Sequence, residues 1–239
     1  YTLPILMLLA LLIARINRLY QDTAGQSTAT AAQAPAHPAT RWLVLALGMV
    51  MIGHFALTGY ASALYQRATA ALQDNRIAEA DTLLTRAQTL WSSTDLFYYT
   101  HAWLKMLQMQ QTPPARQEER LALYRDADAL LERAIANNPL RPMPYDIRGR
   151  LLIVAADLAG EDWLASAEAA FTESIRRDPR YLDGRNALAR ILAATGRHTE
   201  ALAILEDGAA HWYADEPQTR LYRQLLEQAR TQIAPTPAQ

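Results

Sequence analysis

The sequence has 0 cysteines. That excludes a disulfide framework, a thiolate nucleophile and a cysteine metal site. Acidic and basic residues almost cancel to a formal net charge of −1, and no basic stripe interleaved with aromatics runs along any segment, so nucleic acid is not an expected partner. Histidine does not replace the missing cysteine: His37, His54, His101, His198 and His211 have no metal-ligand spacing. The sequence therefore implies no cofactor, no metal and no catalytic group of its own. The acidic pairs Glu118–Glu119 and Glu161–Asp162 stand near expected helix starts, where negative charge favours the macrodipole.

Charge is also missing from two long runs. Residues 1–14, YTLPILMLLALLIA, carry none, and residues 42–65 carry none apart from His54. A hydrocarbon core of about 30 Å takes about 20 helical residues. Residues 41–65 therefore read as a transmembrane helix, and residues 1–16 as a transmembrane helix cut short at its start, since no Met opens the chain. A secretory signal would place positive charge ahead of its apolar core, whereas Arg15 and Arg18 follow it. Together with Arg41 they put the loop 17–40 on the cytoplasmic side. That loop is small, polar and Pro-punctuated, a disordered tether, as is the tail 234–239. The chain beyond residue 65 is then periplasmic, and the expected location is a bacterial inner membrane. Within the second span, His54 is an intramembrane ionisable residue and so a candidate functional group. Its structural alternative is a neutral imidazole bonded to Thr58 one turn on. Gly48, Gly53, Ala56, Gly59 and Ala63 line this helix with small residues that permit close approach of neighbouring helices.

Residues 66–233 repeat. A tetratricopeptide (TPR) unit of about 34 residues packs two antiparallel helices through small residues at fixed offsets, often with Pro at the end of the second helix. Ala127, Leu131, Ala134 and Pro139 match the second-helix offsets, as do Ala167, Phe171, Ser174 and Pro179. Ala80, Leu84 and Ala87 fit an earlier copy, and Ala201, Leu205 and Gly208 a later one. First helices agree less evenly. Leu188, Ala189 and Leu192 sit at the consensus offsets before Gly196, which ends a helix at low cost. A Pro-containing insertion around 112–116 stretches the second unit, and prolines 139, 142 and 144 enforce a turn before a helix from about Tyr145. Pro217 opens a capping helix with Leu221, Leu225 and Ala229 along one face. The expected fold is all-α: transmembrane helices followed by a TPR superhelix of about four repeats and a cap.

Two surfaces are candidates for binding. In LFYYTHAW, helical spacing puts Leu96, Tyr99 and Trp103 on one stripe, which reads as core packing ahead of a stacking platform. TPR arrays present their first helices on a concave face, where Asp183, Asn186 and Arg190 of the last unit would point, with Arg148 and Arg150 extending the same groove. Such a groove could take a peptide, an anionic glycan or a phosphate group, against the plainer reading of solvated arginines.

The order of features in TLPILMLLALLIARINR, the Ala/Thr/Gln tether, RWLVLALGMVMIGHFALTGY and the repeats resembles the carboxyl end of bacterial O-antigen ligases and polymerases and the related protein O-oligosaccharyltransferases. The resemblance covers the chain end to end and lies in layout and repeat style. It implies a polytopic glycan-transferring enzyme using a polyprenyl-diphosphate-linked donor, whose catalytic Arg and His residues lie in an earlier periplasmic loop that no position here matches. This chain would be its noncatalytic membrane and periplasmic portion, recognising a periplasmic protein or a glycan acceptor. The alternative is a two-span TPR scaffold for periplasmic protein assembly, such as cytochrome c maturation, with repeat-bearing heme-pathway membrane proteins as a third class.

Overall fold

The computed structural model describes Arg15 and residues 38–209 and 217–233. Nearly all of the expected first span (1–16), the loop 17–40 as far as residue 37, the tail 234–239, and His37 and His211 lie outside them. Each element among the described residues from 38 onward is an α-helix: α1 Pro38–Gln73, α2 Ile77–Leu90, α3 Asp95–Gln111, α4 Gln117–Asn137, α5 Met143–Val154, α6 Trp163–Arg177, α7 Leu182–Ala194, α8 His198–Ala209 and α9 Pro217–Ile233.

The chain divides into two units between Ile52 and Gly53, inside α1. The described part of the first unit exposes most of its large apolar side chains, with Trp42 and Ile52 both at 71%. Trp42–Gln73 is, by length and composition, the one helix among the described residues long and apolar enough to cross a membrane. In the second unit, Phe55, Leu57 and Tyr60 are exposed in the same way, and then the helix changes character. Ala61, Leu64, Ala68 and Ala71 are buried against Ala80, Leu84, Ala87, Phe97 and Leu104. The lower turns of α1 thus serve as the first helix of the first helical pair, and the array draws on Ala61 and Leu64 as well as on residues beyond 66.

The second-helix template is visible as burial. Ala80, Leu84 and Ala87 of α2, Ala127, Leu131 and Ala134 of α4, Ala167, Phe171 and Ser174 of α6, and Ala201, Leu205 and Gly208 of α8 are the buried positions of their helices, Arg120 of α4 excepted. Only a side chain that is small at the first and third positions lets the backbones of neighbouring helices approach. Helix ends follow the same economy. Gly196 adopts φ +79 after α7, where its N–H reaches the Ala193 carbonyl and the Arg197 N–H reaches that of Leu192 at 2.8 Å, a Schellman closure. Asn75, φ 57, closes α1 in the same pattern. Between repeats, the Asn138 and Asp178 side chains accept from the N–H groups of Leu140 and Arg180, so an Asx turn precedes α5 and α7.

The α2/α3 contact contains a buried polar knot. His101, 5% exposed, bridges Gln88 at 3.1 Å through Nδ1 and Asp81 at 2.9 Å through Nε2, while the Lys105 ammonium lies 2.6 Å from the same carboxylate. The His101 hydrogen bond, and then Lys105, hold the Asp81 carboxyl down at about 2. A carboxyl depressed in the folded state adds stability that is full above its unfolded value of about 4 and disappears as pH falls towards 2. Asp81→Asn is therefore expected to cost about 1–2 kcal/mol at pH 6, after allowing for solvent screening of a partly exposed side chain. The deficit should close by about pH 2. Urea unfolding of both proteins across that range checks it; a deficit independent of pH would mean that Asp81 acts by packing.

Candidate partner-binding groove

The first helices α3, α5 and α7 pack in sequence, α3 on α5 and α5 on α7. Each carries a small buried residue at the same offset, Ala102, Gly149 and Ala189. Three residues ahead of these stand Tyr99, Asp146 and Asn186, and one residue beyond stand Trp103, Arg150 and Arg190. One face of the array is thereby built from equivalent positions.

A cavity of about 360 Å³ opens there, lined by Tyr99 and Trp103 of α3, Asp146 and Arg150 of α5, and Tyr181 and Asp183 at the start of α7. Asp146 is its most buried charge, at 3% exposure. Its Oδ2 accepts from Arg150 Nε at 2.8 Å and from the Tyr181 hydroxyl at 3.4 Å; that hydroxyl also lies 3.0 Å from Met143 Sδ. Asp146 Oδ1 is buried without a partner among the described residues. Burial pushes the Asp146 carboxyl up, against the pull of Arg150, and burial with the Asp146 charge raises the Tyr181 phenol well above its usual value. Asp183 is half-buried and forms no ion pair among the described residues. It contributes to the raised Asp146 carboxyl through space.

The residues singled out in the sequence separate on this geometry. Arg150 and Asp183 line the cavity. Arg148 instead pairs with Asp128 at 2.9 Å and Glu132 at 3.8 Å, both on α4. Arg190 is exposed and lines a second cavity of about 340 Å³ with residues of α8 and α9. Asn186 is 7% exposed and its Oδ1 has no partner among the described residues. His54 does not bond to Thr58 through its ring. The Thr58 hydroxyl donates to the His54 backbone carbonyl at 2.9 Å, and the imidazole packs edge-on to Trp91 with centroids 4.8 Å apart. The stripe of Tyr99 and Trp103 packs on the core of its repeat and also lines the cavity. Asp146 was legible in principle, since it occupies the offset of Asn186 one repeat earlier; Tyr181, ahead of its helix, falls outside that template. Among the described residues, no group of three or more His, Asp or Glu side chains could hold a metal ion.

No family model and no curated protein matches the sequence. Solved structures do match the fold. A TPR protein of Thermus thermophilus superposes with a TM-score of 0.57 at 21% identity, covering 77% of this chain and 97% of its own. YrrB, a TPR protein described as having an unusual peptide-binding site, gives a TM-score of 0.44 at 15% identity over 71% of this chain and 75% of its own. MamA gives 0.46 at 16% identity over 63% and 77%. With the four buried second-helix triplets, the match to the Thermus protein identifies the helical array as a TPR fold.

Proposed function

We propose that this chain is a TPR scaffold that takes a segment of a protein partner into the groove of α3, α5 and α7. The observation that carries this reading is the cavity's unfinished bonding. Most buried polar groups find a partner within the fold, whereas here a buried carboxylate oxygen, and a carboxylate with no ion pair among the described residues, stand beside the half-buried rings of Tyr99, Trp103 and Tyr181. Such a mixture of apolar wall and few polar anchors is what ligand sites use.

The setting we propose is the periplasmic face of a bacterial inner membrane, with α1 as the anchor. The exposed apolar residues from Trp42 to Tyr60 support it. So do Gly48, Gly53 and Gly59, where an added Cβ would meet nothing within 4 Å, leaving a flank open to further helices. A flank of that kind fits the layout that resembles O-antigen ligases and polymerases, in which the array would be the noncatalytic part recognising partner or acceptor.

Photo-crosslinking in source membranes tests both levels. A benzoylphenylalanine at Trp103 is expected to give a discrete protein adduct that the same probe at exposed Arg133 of α4 does not. Equal labelling at both positions would remove the groove. In the same gels, an uncrosslinked chain far heavier than 26.7 kDa supports the polytopic parent, and one near that mass overturns it.

A further inference from the structure

We infer that the cavity between α3, α5 and α7 is selective for a cation, the ammonium or guanidinium of a lysine or arginine side chain on the partner segment. This rests on the groove reading above and names its chemistry. Two carboxylates, Asp146 and Asp183, face one guanidinium, Arg150, among the lining residues, so the site carries net negative charge. Arg150 gives its Nε to Asp146 Oδ2 and its charge is balanced by that carboxylate, and the other arginine expected to draw anions into this stretch, Arg148, is turned to α4. What the two carboxylates lack is a donor of their own: Asp146 Oδ1 is buried and has no partner among the described residues, and Asp183 makes no ion pair among them. An ammonium supplies three N–H donors and a guanidinium five, enough to satisfy both carboxylates at once.

The aromatic wall points the same way. Rings attract cations placed within about 6 Å of their centroids. The chain already uses this contact: the Arg141 guanidinium sits 5.8 Å from the centroid of Tyr99, a lining residue, and elsewhere that of Arg177 lies 5.3 Å from Tyr145. Trp103, half-buried along the same wall, has no cation on it among these contacts. The cavity volume is near the lower end of the usual range for ligand pockets, about 300–1,000 Å³. That suits one long side chain and not a folded element.

The test uses the full chain in detergent and three fluorescein-labelled probes read by anisotropy: a capped tetralysine peptide, the same peptide acetylated at every Nε, and a capped tetraglutamate. Tetralysine is expected to bind at least about tenfold more tightly than its acetylated form, the scale of a charge-assisted hydrogen bond, and tetraglutamate to bind least. Asp183→Lys should cost about tenfold and Asp183→Asn several-fold, while Asp126→Lys on exposed α4 surface should leave affinity within about twofold. Asp183 is half-buried and forms no ion pair among the described residues, and circular dichroism of the variants confirms that they fold. Equal affinity for the acetylated peptide, preference for tetraglutamate, or equal losses at Asp126 and Asp183 would overturn the inference. If those results came with a persistent Trp103 crosslink, the groove reading would stand without its cation.

Discussion

Truncating Phe171 to alanine is expected to destabilise the protein by about 3–5 kcal/mol, the range for a large aromatic removed from a packed core. Phe171 is 0% exposed, and the tip of its ring lies in a notch that exists because residue 149 is glycine. A Cβ built on Gly149 would stand 2.6 Å from Cζ and 2.7 Å from Cε1 of the ring. The reciprocal change, Gly149→Ala, forces that methyl into the ring and should cost about 1–3 kcal/mol by overpacking. Because the two residues meet at one point, the substitutions should not add. Gly149→Ala combined with Phe171→Leu, whose shorter side chain makes room for the methyl, should recover about 1 kcal/mol relative to the sum of the single changes. Urea unfolding followed by circular dichroism measures Phe171→Ala and the four members of the Gly149→Ala/Phe171→Leu cycle. A loss below about 1 kcal/mol for Phe171→Ala, or strict additivity in the cycle, would mean that this contact does not hold α5 to α6. The consequence reaches the groove, since α5 carries Asp146 and Arg150 and their separation from Tyr181 is set by how firmly α5 rests on α6.

The second helices were legible because each buries one narrow stripe, and a small-large-small triplet at fixed offsets is what close backbone approach demands. Ser174 fits the triplet for the same reason: its hydroxyl, though buried, donates to the Pro142 carbonyl at 3.0 Å. First helices were harder to read. Each packs on its own second helix and on the next repeat, so two faces are buried and one helical period cannot rank them. In α3, Phe97, Tyr98, His101 and Leu104 are buried outright, while Tyr99 and Trp103 stand at the edge of the core and against the cavity. In the capping helix, Leu225 and Ala229 of the expected face pack on the core, joined by Tyr222 and Leu226, while the Leu221 side chain lies outside the described residues. Tyr222 enters the core because its hydroxyl donates to the Leu205 carbonyl at 2.5 Å, a pairing that sequence periodicity does not display. For the cavity, the consensus offset named Asp183 and the start of the preceding first helix named Arg150, both of which line it, but nothing local reveals that Arg148 is taken by carboxylates of another helix. The transmembrane reading of α1 rested on composition, and its exposed upper turns and buried lower turns differ as that composition does.

Arg185 offers the other large effect, and it was invisible as an arginine. It stands at the offset that Tyr145 holds one repeat earlier, yet it is 2% exposed. Its Nε donates to the Pro179 carbonyl at 3.1 Å, and Nη1 donates to the Ile204 carbonyl at 3.2 Å and to Asp207 Oδ2 at 2.6 Å. A buried charge is tolerated when its donors are satisfied, and here one side chain fastens the linker before α7 to the end of α8. The fit is close: a Cβ on Gly208 would come within 2.7 Å of Arg185 Cδ and 1.9 Å of the Tyr222 hydroxyl. Arg185→Ala should cost about 3–4 kcal/mol, combining a cavity with carbonyls stripped of charged donors. Arg185→Met keeps most of the volume and should recover about 1 kcal/mol of that. Asp207→Asn should cost under about 1 kcal/mol, because that carboxylate is largely exposed and water can replace much of what it gives. The order of the three losses, from chemical unfolding, separates two accounts. If Asp207→Asn cost as much as Arg185→Ala, the ion pair would be the fastening. If it costs little while Arg185→Ala costs most, the backbone carbonyls are, and the guanidinium is there because no other side chain reaches both of them from one buried position.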